Sequence, residues 1–272
     1  MFLITGADGQ LGTELRALLP QAIGIDVSDL DITDEAAVKK FVSENGVDTI
    51  MNCAAYTAVD KAEDEPEKCY AVNVTGVMNL ARSGAKVIHV STDYVFDGTG
   101  FKPYVETDET NPASVYGRTK REGEEALLDL ARTCAVVRTA WLYSPYGNNF
   151  VKTMRRLGEQ KDSLNVVADQ VGTPTCAADL ARAIVALSPQ MKDGTKEVYH
   201  YSNEGVCSWY DFAHEVMKLS GLKCCVNPIE TAQYSTKARR PFYSVLNKSK
   251  IKKLGIEVPH WQESLEKCLK KF

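Results

Sequence analysis

The chain lacks an excess of charge of either sign. Its 32 Lys and Arg residues nearly balance 36 Asp and Glu residues, for a net charge of −4. This balance gives no basis for binding nucleic acid or an anionic membrane surface. No apolar run approaches the length of a membrane span, and the chain enters its first strand at once, without room for a signal peptide. We therefore expect a cytoplasmic protein with no nucleic-acid or membrane partner.

The cysteine pattern gives no sign of a C-x-x-C redox site or of a zinc site. The eight cysteines form no C-x-x-C pair and no paired zinc spacing, so we expect reduced thiols in a reducing compartment. No repeat or low-complexity segment is present. With 272 residues, 44% of them hydrophobic, the chain can bury a core of ordinary size, as one large domain or two closely packed ones.

A tyrosine and a lysine stand four residues apart in Tyr116-x-x-x-Lys120, near a predicted helix start. Side chains at i and i+4 share one face of a helix, so the phenol and the ammonium project together. An isolated tyrosine has a pKa of about 10, and a fixed positive charge favours the phenolate. The pair alone is also compatible with an ordinary surface helix.

A glycine-rich turn opens the chain. A short apolar strand at 1–5 leads into Gly6-x-x-Gly9-x-x-Gly12 and then into a helical pattern. Glycines permit a tight turn, and a helix N-terminus offers free N–H groups to a phosphate. Asp26 ends the next predicted strand, 20 residues after Gly6, where a carboxylate can meet ribose hydroxyls. An acid at that place favours NADH over NADPH, although a turn that binds nothing and an exposed strand-end acid remain alternatives.

Strand and helix patterns alternate through the first half of the chain. Strands are predicted at 22–26, 48–53, 86–91 and 135–143, with helices at 35–45, 66–82 and 115–132. This alternation predicts an α/β fold, a doubly wound parallel sheet of the Rossmann type. We expect a nucleotide-binding domain at 1–145 and a smaller substrate-binding lobe at 146–272. The helix at 177–187 is a candidate for return to the first domain, and 226–243 is expected to be irregular.

The glycine turn, Asn52-Cys53-Ala54-Ala55, the segment from Ser91 to Phe96 and the Tyr116/Lys120 pair together resemble the extended short-chain dehydrogenase/reductase family. Further strings that resemble this family span nearly the whole chain. The resemblance implies that hydride from NADPH or NADH reduces the C4 ketone of a dTDP-linked 6-deoxyhexulose. It implies that Tyr116 supplies the proton, that Lys120 lowers the pKa of Tyr116 and holds the nicotinamide ribose, and that Thr92 bonds the carbonyl oxygen.

The resemblance also implies two sets of binding residues. The cofactor set is Gly6, Gly9, Gln10, Leu11, Gly12, Asp26, Asp31, Ile32, Asn52, Ala54, Ala55, Tyr56, Tyr116 and Lys120. The substrate set is Thr92, Asp93, Val95, Phe96, Trp141, Asn149 and Arg239. Asp31 and Ile32 are expected to follow a third strand.

Several of these residues have a structural alternative. Thr92 could cap a turn, Asp31 or Asn149 could cap a helix, and Trp141 could be a core residue. Asn52 to Ala55 could simply end a strand in small core residues. Only one arginine of Arg239-Arg240 is expected to reach a diphosphate. Glu14 matches a glutamate that relatives use at a metal-bridged subunit contact, which makes Mg²⁺ an option although such a glutamate is usually solvated.

Two other functions compete with a ketoreductase. An epimerase or dehydratase would use the same site with a retained cofactor, but dehydratases usually carry an acid pair after the catalytic hydroxyl. Here Asp93 is followed by Tyr94. A regulatory subunit resembling the methionine adenosyltransferase β-subunit would not need Thr92, Tyr116 and Lys120 together. Monomer and homodimer are both compatible with the sequence.

Overall fold

The computed structural model describes all 272 residues. Its strands are β1 (Phe2–Thr5), β2 (Ile23–Ile25), β3 (Thr49–Asn52), β4 (Lys86–Thr92), β5 (Cys134–Thr139), β6 (Leu142–Tyr143), β7 (Ser163–Val167), β8 (Val171–Gly172), β9 (Thr175–Cys176), β10 (Lys196–His200), β11 (Cys207–Ser208) and β12 (Cys225–Ile229). Its α-helices are α1 (Gln10–Leu18), α2 (Glu35–Glu44), α3 (Val59–Ala62), α4 (Pro66–Tyr70), α5 (Gly76–Ala81), α6 (Val115–Leu130), α7 (Phe150–Gln160), α8 (Ala177–Leu187), α9 (Trp209–Leu219), α10 (Ser249–Lys252) and α11 (Trp261–Leu269). None of these helices is long and apolar enough to cross a membrane.

Six parallel strands form the central sheet, in the order β10-β5-β4-β3-β1-β2. Successive side chains of a strand point to opposite faces, so each buried strand supplies two cores. Leu3 packs into the core beneath α2, α5 and α6, whereas Ile4 packs into the core beneath α1 and α8. Helices thus cover both faces, and the predicted doubly wound parallel sheet of the Rossmann type is confirmed.

The second half of the chain contributes to this sheet as well as to a lobe of its own. Leu180 and Ile184 of α8 share the core of Leu15 on α1, and β10 pairs with β5. A separate apolar core joins α7, α9 and α11 to the parallel pair β7 and β12. The chain therefore crosses from sheet to lobe more than once after residue 146.

Four local features differ from the sequence-based expectations. Residues 226–229, expected to be irregular, lie in β12, whose pairing with β7 joins segments distant in sequence and leaves no local pattern. No third strand lies between β2 and Asp31, because 26–34 are turns and irregular chain. The expected strand at 135–143 is broken by Trp141, whose φ of 49° is incompatible with an extended chain. The helix expected at 66–82 contains a π-helical segment, Ala71–Thr75, between α4 and α5.

Candidate active site

A cleft of about 860 Å³ runs along the carboxyl ends of the sheet strands from β1 to β5. Ligands of doubly wound sheets bind at this edge, and the volume is that of a small-molecule site. Most of the residues expected to bind cofactor or substrate line this one cleft. They are Gly6, Gly9, Gln10, Leu11, Gly12, Asp26, Asp31, Ile32, Ala54, Ala55, Tyr56, Thr92, Asp93, Tyr116, Lys120, Trp141 and Asn149.

The glycine turn packs too closely for side chains. Gly6 has a φ of 64°, and a Cβ there would lie 2.8 Å from the backbone nitrogen of Ala54. A Cβ on Gly12 would lie 2.2 Å from the carbonyl oxygen of Gly6. Helix α1 begins without a side-chain cap and without an acidic residue in its first turn. The backbone can therefore approach a ligand, and the helix N-terminus can hold a phosphate, as a dinucleotide requires.

Asp26 follows β2 in the cleft wall. Its carboxylate accepts hydrogen bonds from the backbone N–H of Val27 at 2.8 Å and of Asp8 at 3.4 Å. These bonds fix the carboxylate and leave lone pairs free for hydroxyl donors. The neighbouring Asp31 accepts from the backbone and the hydroxyl of Thr33, whereas α2 is capped by Asp34. Asp31 is therefore a turn residue at the cleft and not the helix cap.

Tyr116 and Thr92 face each other across the cleft floor. The side chain of Ser114 caps α6 by accepting the Gly117 N–H, which sets Tyr116 in the first turn. Burial raises the pKa of Tyr116, and the Thr92 hydroxyl works in the opposite direction. Thr92 also caps the short turn Asp93–Val95 by accepting the Tyr94 N–H at 3.2 Å. Thr92 therefore caps this turn, as its structural alternative predicted, and also lines the cleft.

Lys120 lies one helical turn after Tyr116 and is only 1% exposed. Its Nζ lies 2.8 Å from the carbonyl oxygen of Val90 and 3.0 Å from Nε2 of His89. Burial lowers the pKa of Lys120 to about 8, against the opposing effect of Glu124. Desolvation therefore favours the neutral amine of Lys120 in this arrangement.

Asp93 is a buried carboxylate in the cleft wall, only 2% exposed. One oxygen accepts the Thr92 hydroxyl at 3.0 Å, and the other, Oδ2, is buried without a hydrogen-bond partner. Burial raises the pKa of Asp93 to about 7, because the charged form is poorly solvated. A hydroxyl of a bound ligand could satisfy the unpaired oxygen.

Trp141 and Asn149 bring the second lobe to the cleft. The ring of Trp141 stacks on Trp209 with centroids 3.6 Å apart, and its left-handed backbone holds the half-buried ring at the cleft wall. Asn149 caps α7 by accepting the Lys152 N–H, and its amide donates to Oε1 of Gln10 at 2.9 Å. Capping is thus the observed role of Asn149, and Gln10 ties the glycine turn to the lobe.

Four predicted residues do not line the cleft, namely Asn52, Val95, Phe96 and Arg239. Asn52 is fully buried, where it bonds Thr5 and His89. Val95 and Phe96 pack into a small apolar core with Tyr104. Arg239 is exposed, whereas Arg240 is half-buried, pairs with Asp60 at 2.8 Å and has a buried Nε without a partner. Nη1 of Arg240 lies 3.4 Å from the hydroxyl of the cleft residue Tyr94.

The cleft also contains residues to which the sequence analysis gave no specific role. Ser91 near the end of β4 and Thr139 at the end of β5 line it, and the Ser91 hydroxyl is buried without a partner. Their position at strand ends had marked both as candidates. Tyr94 and Asn148 line the wall from segments that resemble the family, whereas Val72 comes from a helical segment without such a pattern. His89, which contacts Lys120 from below, has no sequence signal at all.

Glu14 does not stand in a metal-binding cluster. Its side chain is buried, and its nearest cation is Nζ of Lys271, 3.9 Å from Oε1. No group of three or more His, Cys, Asp or Glu side chains in the chain could hold a metal ion. Mg²⁺ therefore has no support in this structure, and Glu14 is not the solvated side chain that its helix position suggests.

Comparison with known proteins finds relatives along the full length of the chain. A family model described as the RmlD substrate binding domain matches residues 1–272. The spore coat polysaccharide biosynthesis protein SpsK of Bacillus subtilis is 41% identical, over 98% of this chain and 96% of that protein. The structure of a dTDP-4-dehydrorhamnose reductase from Clostridium acetobutylicum is 45% identical, with a TM-score of 0.95, over 99% of this chain and 98% of that one. A dTDP-4-dehydrorhamnose reductase from Bacillus anthracis, in complex with NADP, is 39% identical, with a TM-score of 0.95, over 100% and 99% of the two chains.

Proposed function

The chain belongs to the RmlD substrate binding domain family, and we propose that it reduces dTDP-4-dehydro-L-rhamnose to dTDP-L-rhamnose in this cleft. The chain is an oxidoreductase that uses a nicotinamide cofactor, and the resemblance to the extended short-chain dehydrogenase/reductase family is confirmed. The observation that carries the proposal is the placement of Thr92, Tyr116 and Lys120 in one cleft with the glycine turn.

The residues of the chain fit a dinucleotide. The cofactor supplies the hydride when it is bound, and the glycines let the turn pack tightly, so that backbone N–H groups at the start of α1 can hold the pyrophosphate. Lys120 holds the nicotinamide ribose hydroxyls. Tyr116 donates a proton to the oxygen of the reduced carbonyl, and Thr92 holds that oxygen in line with the phenol. The protein thus positions the cofactor and the carbonyl oxygen and supplies one proton.

Polar and aromatic groups of the cleft suit a nucleotide sugar. The unpaired Oδ2 of Asp93 accepts a sugar hydroxyl, and the ring of Trp141, held by Trp209, packs on the sugar. Arg240 replaces Arg239 as the arginine directed to the diphosphate, because its guanidinium is half-buried beside Tyr94. Asn149 holds this wall of the cleft in place, because it caps α7 and donates a hydrogen bond to Gln10.

The choice between NADH and NADPH depends on Asp26. Its carboxylate repels a 2′-phosphate and accepts a hydroxyl, which favours NADH. The relative from Bacillus anthracis was solved with NADP, so both cofactors belong in the test.

We assign 1–145 to nucleotide binding, with α8 and β10 returning to it, and the remainder to substrate binding. A cytoplasmic location and a monomer or homodimer complete the proposal.

The deciding experiment measures oxidation of NADH and NADPH in parallel, with enzymatically generated dTDP-4-dehydro-L-rhamnose. We expect rapid turnover to dTDP-L-rhamnose, identified by NMR of the product. Tyr116→Phe serves as the matched control, since it removes one hydroxyl and leaves the fold intact. Absence of turnover with a protein that binds cofactor would refute the substrate assignment, and full activity of Tyr116→Phe would refute the proton donor.

A further inference from the structure

A buried chain of polar side chains runs beneath the cleft and ends at Lys120. Thr5, Asn52 and His89 lie on three neighbouring strands, β1, β3 and β4, and all three are at most 1% exposed. The hydroxyl of Thr5 lies 2.6 Å from Oδ1 of Asn52, and Nδ2 of Asn52 lies 2.8 Å from Nδ1 of His89. Nε2 of His89 then lies 3.0 Å from Nζ of Lys120. All four side chains are almost completely buried.

A backbone group fixes the direction of these hydrogen bonds. The N–H of Ala54, which can only donate, points to Oδ1 of Asn52 at 3.2 Å. The other end of the amide, Nδ2, must therefore donate to Nδ1 of His89. His89 is neutral, because burial holds its pKa well below the usual range. Its single proton is then on Nε2, and it points to Nζ of Lys120.

We propose that His89 is a positioning residue for Lys120. Asn52 orients the imidazole so that its Nε2–H donates to Nζ, and this hydrogen bond favours the neutral amine in the free cleft. The amine can accept this bond only without its third proton, while it still donates to the carbonyl of Val90. The proposal deepens the role given to Lys120 above and rests on it.

The other groups around Lys120 do not supply this effect. Glu124 raises the pKa of Lys120 but is committed to a buried pair with Arg138. The thiols of Cys53 and Cys69 are themselves held neutral, because burial raises their pKa values. His89 is the group that presents a donor to Nζ. It thereby sets the pH range over which Lys120 carries the charge that can act on Tyr116.

The first test needs neither substrate nor cofactor. Two-bond ¹H–¹⁵N spectra of the ¹⁵N-histidine protein report the tautomer of each ring, and His89→Gln assigns the signal. We expect a neutral His89 protonated on Nε2 at pH 9, because Lys120 is mostly the neutral amine above its pKa of about 8. A proton on Nδ1 would overturn the proposal, because Lys120 would then donate as an ammonium. This readout is independent of whether dTDP-4-dehydro-L-rhamnose is the substrate.

The second test follows the titration of Lys120 through its ¹³Cε shift, assigned with Lys120→Met. His89→Gln presents a carbonyl oxygen near the place of Nε2, and His89→Leu presents nothing. Both should raise the pKa of Lys120, with about a fivefold fall in its acid dissociation constant for the loss of one hydrogen bond. His200→Gln is the control, since His200 is a buried histidine of β10 that bonds Tyr104 and not Lys120. An unchanged or lowered pKa in both His89 variants would refute the role.

Discussion

Replacing Asp93 by asparagine should stabilise the protein at alkaline pH. The buried carboxyl has a pKa of about 7, raised by burial from 3.8. The folded state therefore binds a proton that the unfolded state releases, and stability falls as pH rises from 3.8 through 7. A shift of this size corresponds to roughly 4 kcal/mol at pH 8, at 1.36 kcal/mol per pH unit. That is a large share of the 5 to 15 kcal/mol typical of a folded domain.

The assay is urea unfolding of Asp93→Asn and the wild type at pH 5 and pH 8. We expect a small difference between the two proteins at pH 5 and a clear gain for the variant at pH 8. Asp97→Asn is the matched control of opposite sign, because hydrogen bonds, first that of the Thr99 N–H, lower the pKa of Asp97. It should cost stability at pH 8. Equal stability of Asp93→Asn and the wild type at pH 8 would refute the assignment of a poorly solvated carboxylate with a raised pKa.

Three further predictions concern the cleft. Tyr116→Phe should lower kcat by about 10²- to 10⁴-fold with unchanged cofactor affinity in a fluorescence titration; a normal kcat would exclude the proton transfer. Gly12→Ala should weaken cofactor binding and lower the melting temperature, since its Cβ would lie 2.2 Å from the Gly6 oxygen; wild-type binding would mean that the turn can open. Asp26→Ala should raise kcat/KM for NADPH relative to NADH, and an unchanged ratio would show that the carboxylate does not meet the adenosine ribose.

The same variant, Asp93→Asn, also tests whether Asp93 binds the substrate. If Oδ2 accepts a sugar hydroxyl, the amide loses a charged acceptor, so KM for the nucleotide sugar should rise while the protein gains stability. Buried groups that bind ligands often cost stability in this way. Steady-state kinetics at pH 8 with saturating cofactor measures the change. An unchanged KM would leave Asp93 with a structural role only.

Local sequence patterns were sufficient for β1 to β5 of the sheet and for the residues that meet at its edge, whereas β10 had been placed in the second lobe. Apolar strands alternate with amphipathic helices, and parallel strands place their carboxyl ends together, so the glycine turn, Asp26, Thr92 and Tyr116 had to lie near one cleft. The spacing between Tyr116 and Lys120 is likewise a property of one helix. These features depend on neighbours in sequence, which is why they can be derived without coordinates.

Only the tertiary structure decided which polar groups are buried and what they contact. The pairing of β12 with β7, the contact of Gln10 with Asn149 and the contact of Arg240 with Tyr94 join segments that are distant in sequence. The unpaired oxygen of Asp93 and the contact of His89 with Lys120 arise from the same packing. Desolvation shifts a pKa according to what surrounds the group in space, and no periodicity in the chain records those surroundings.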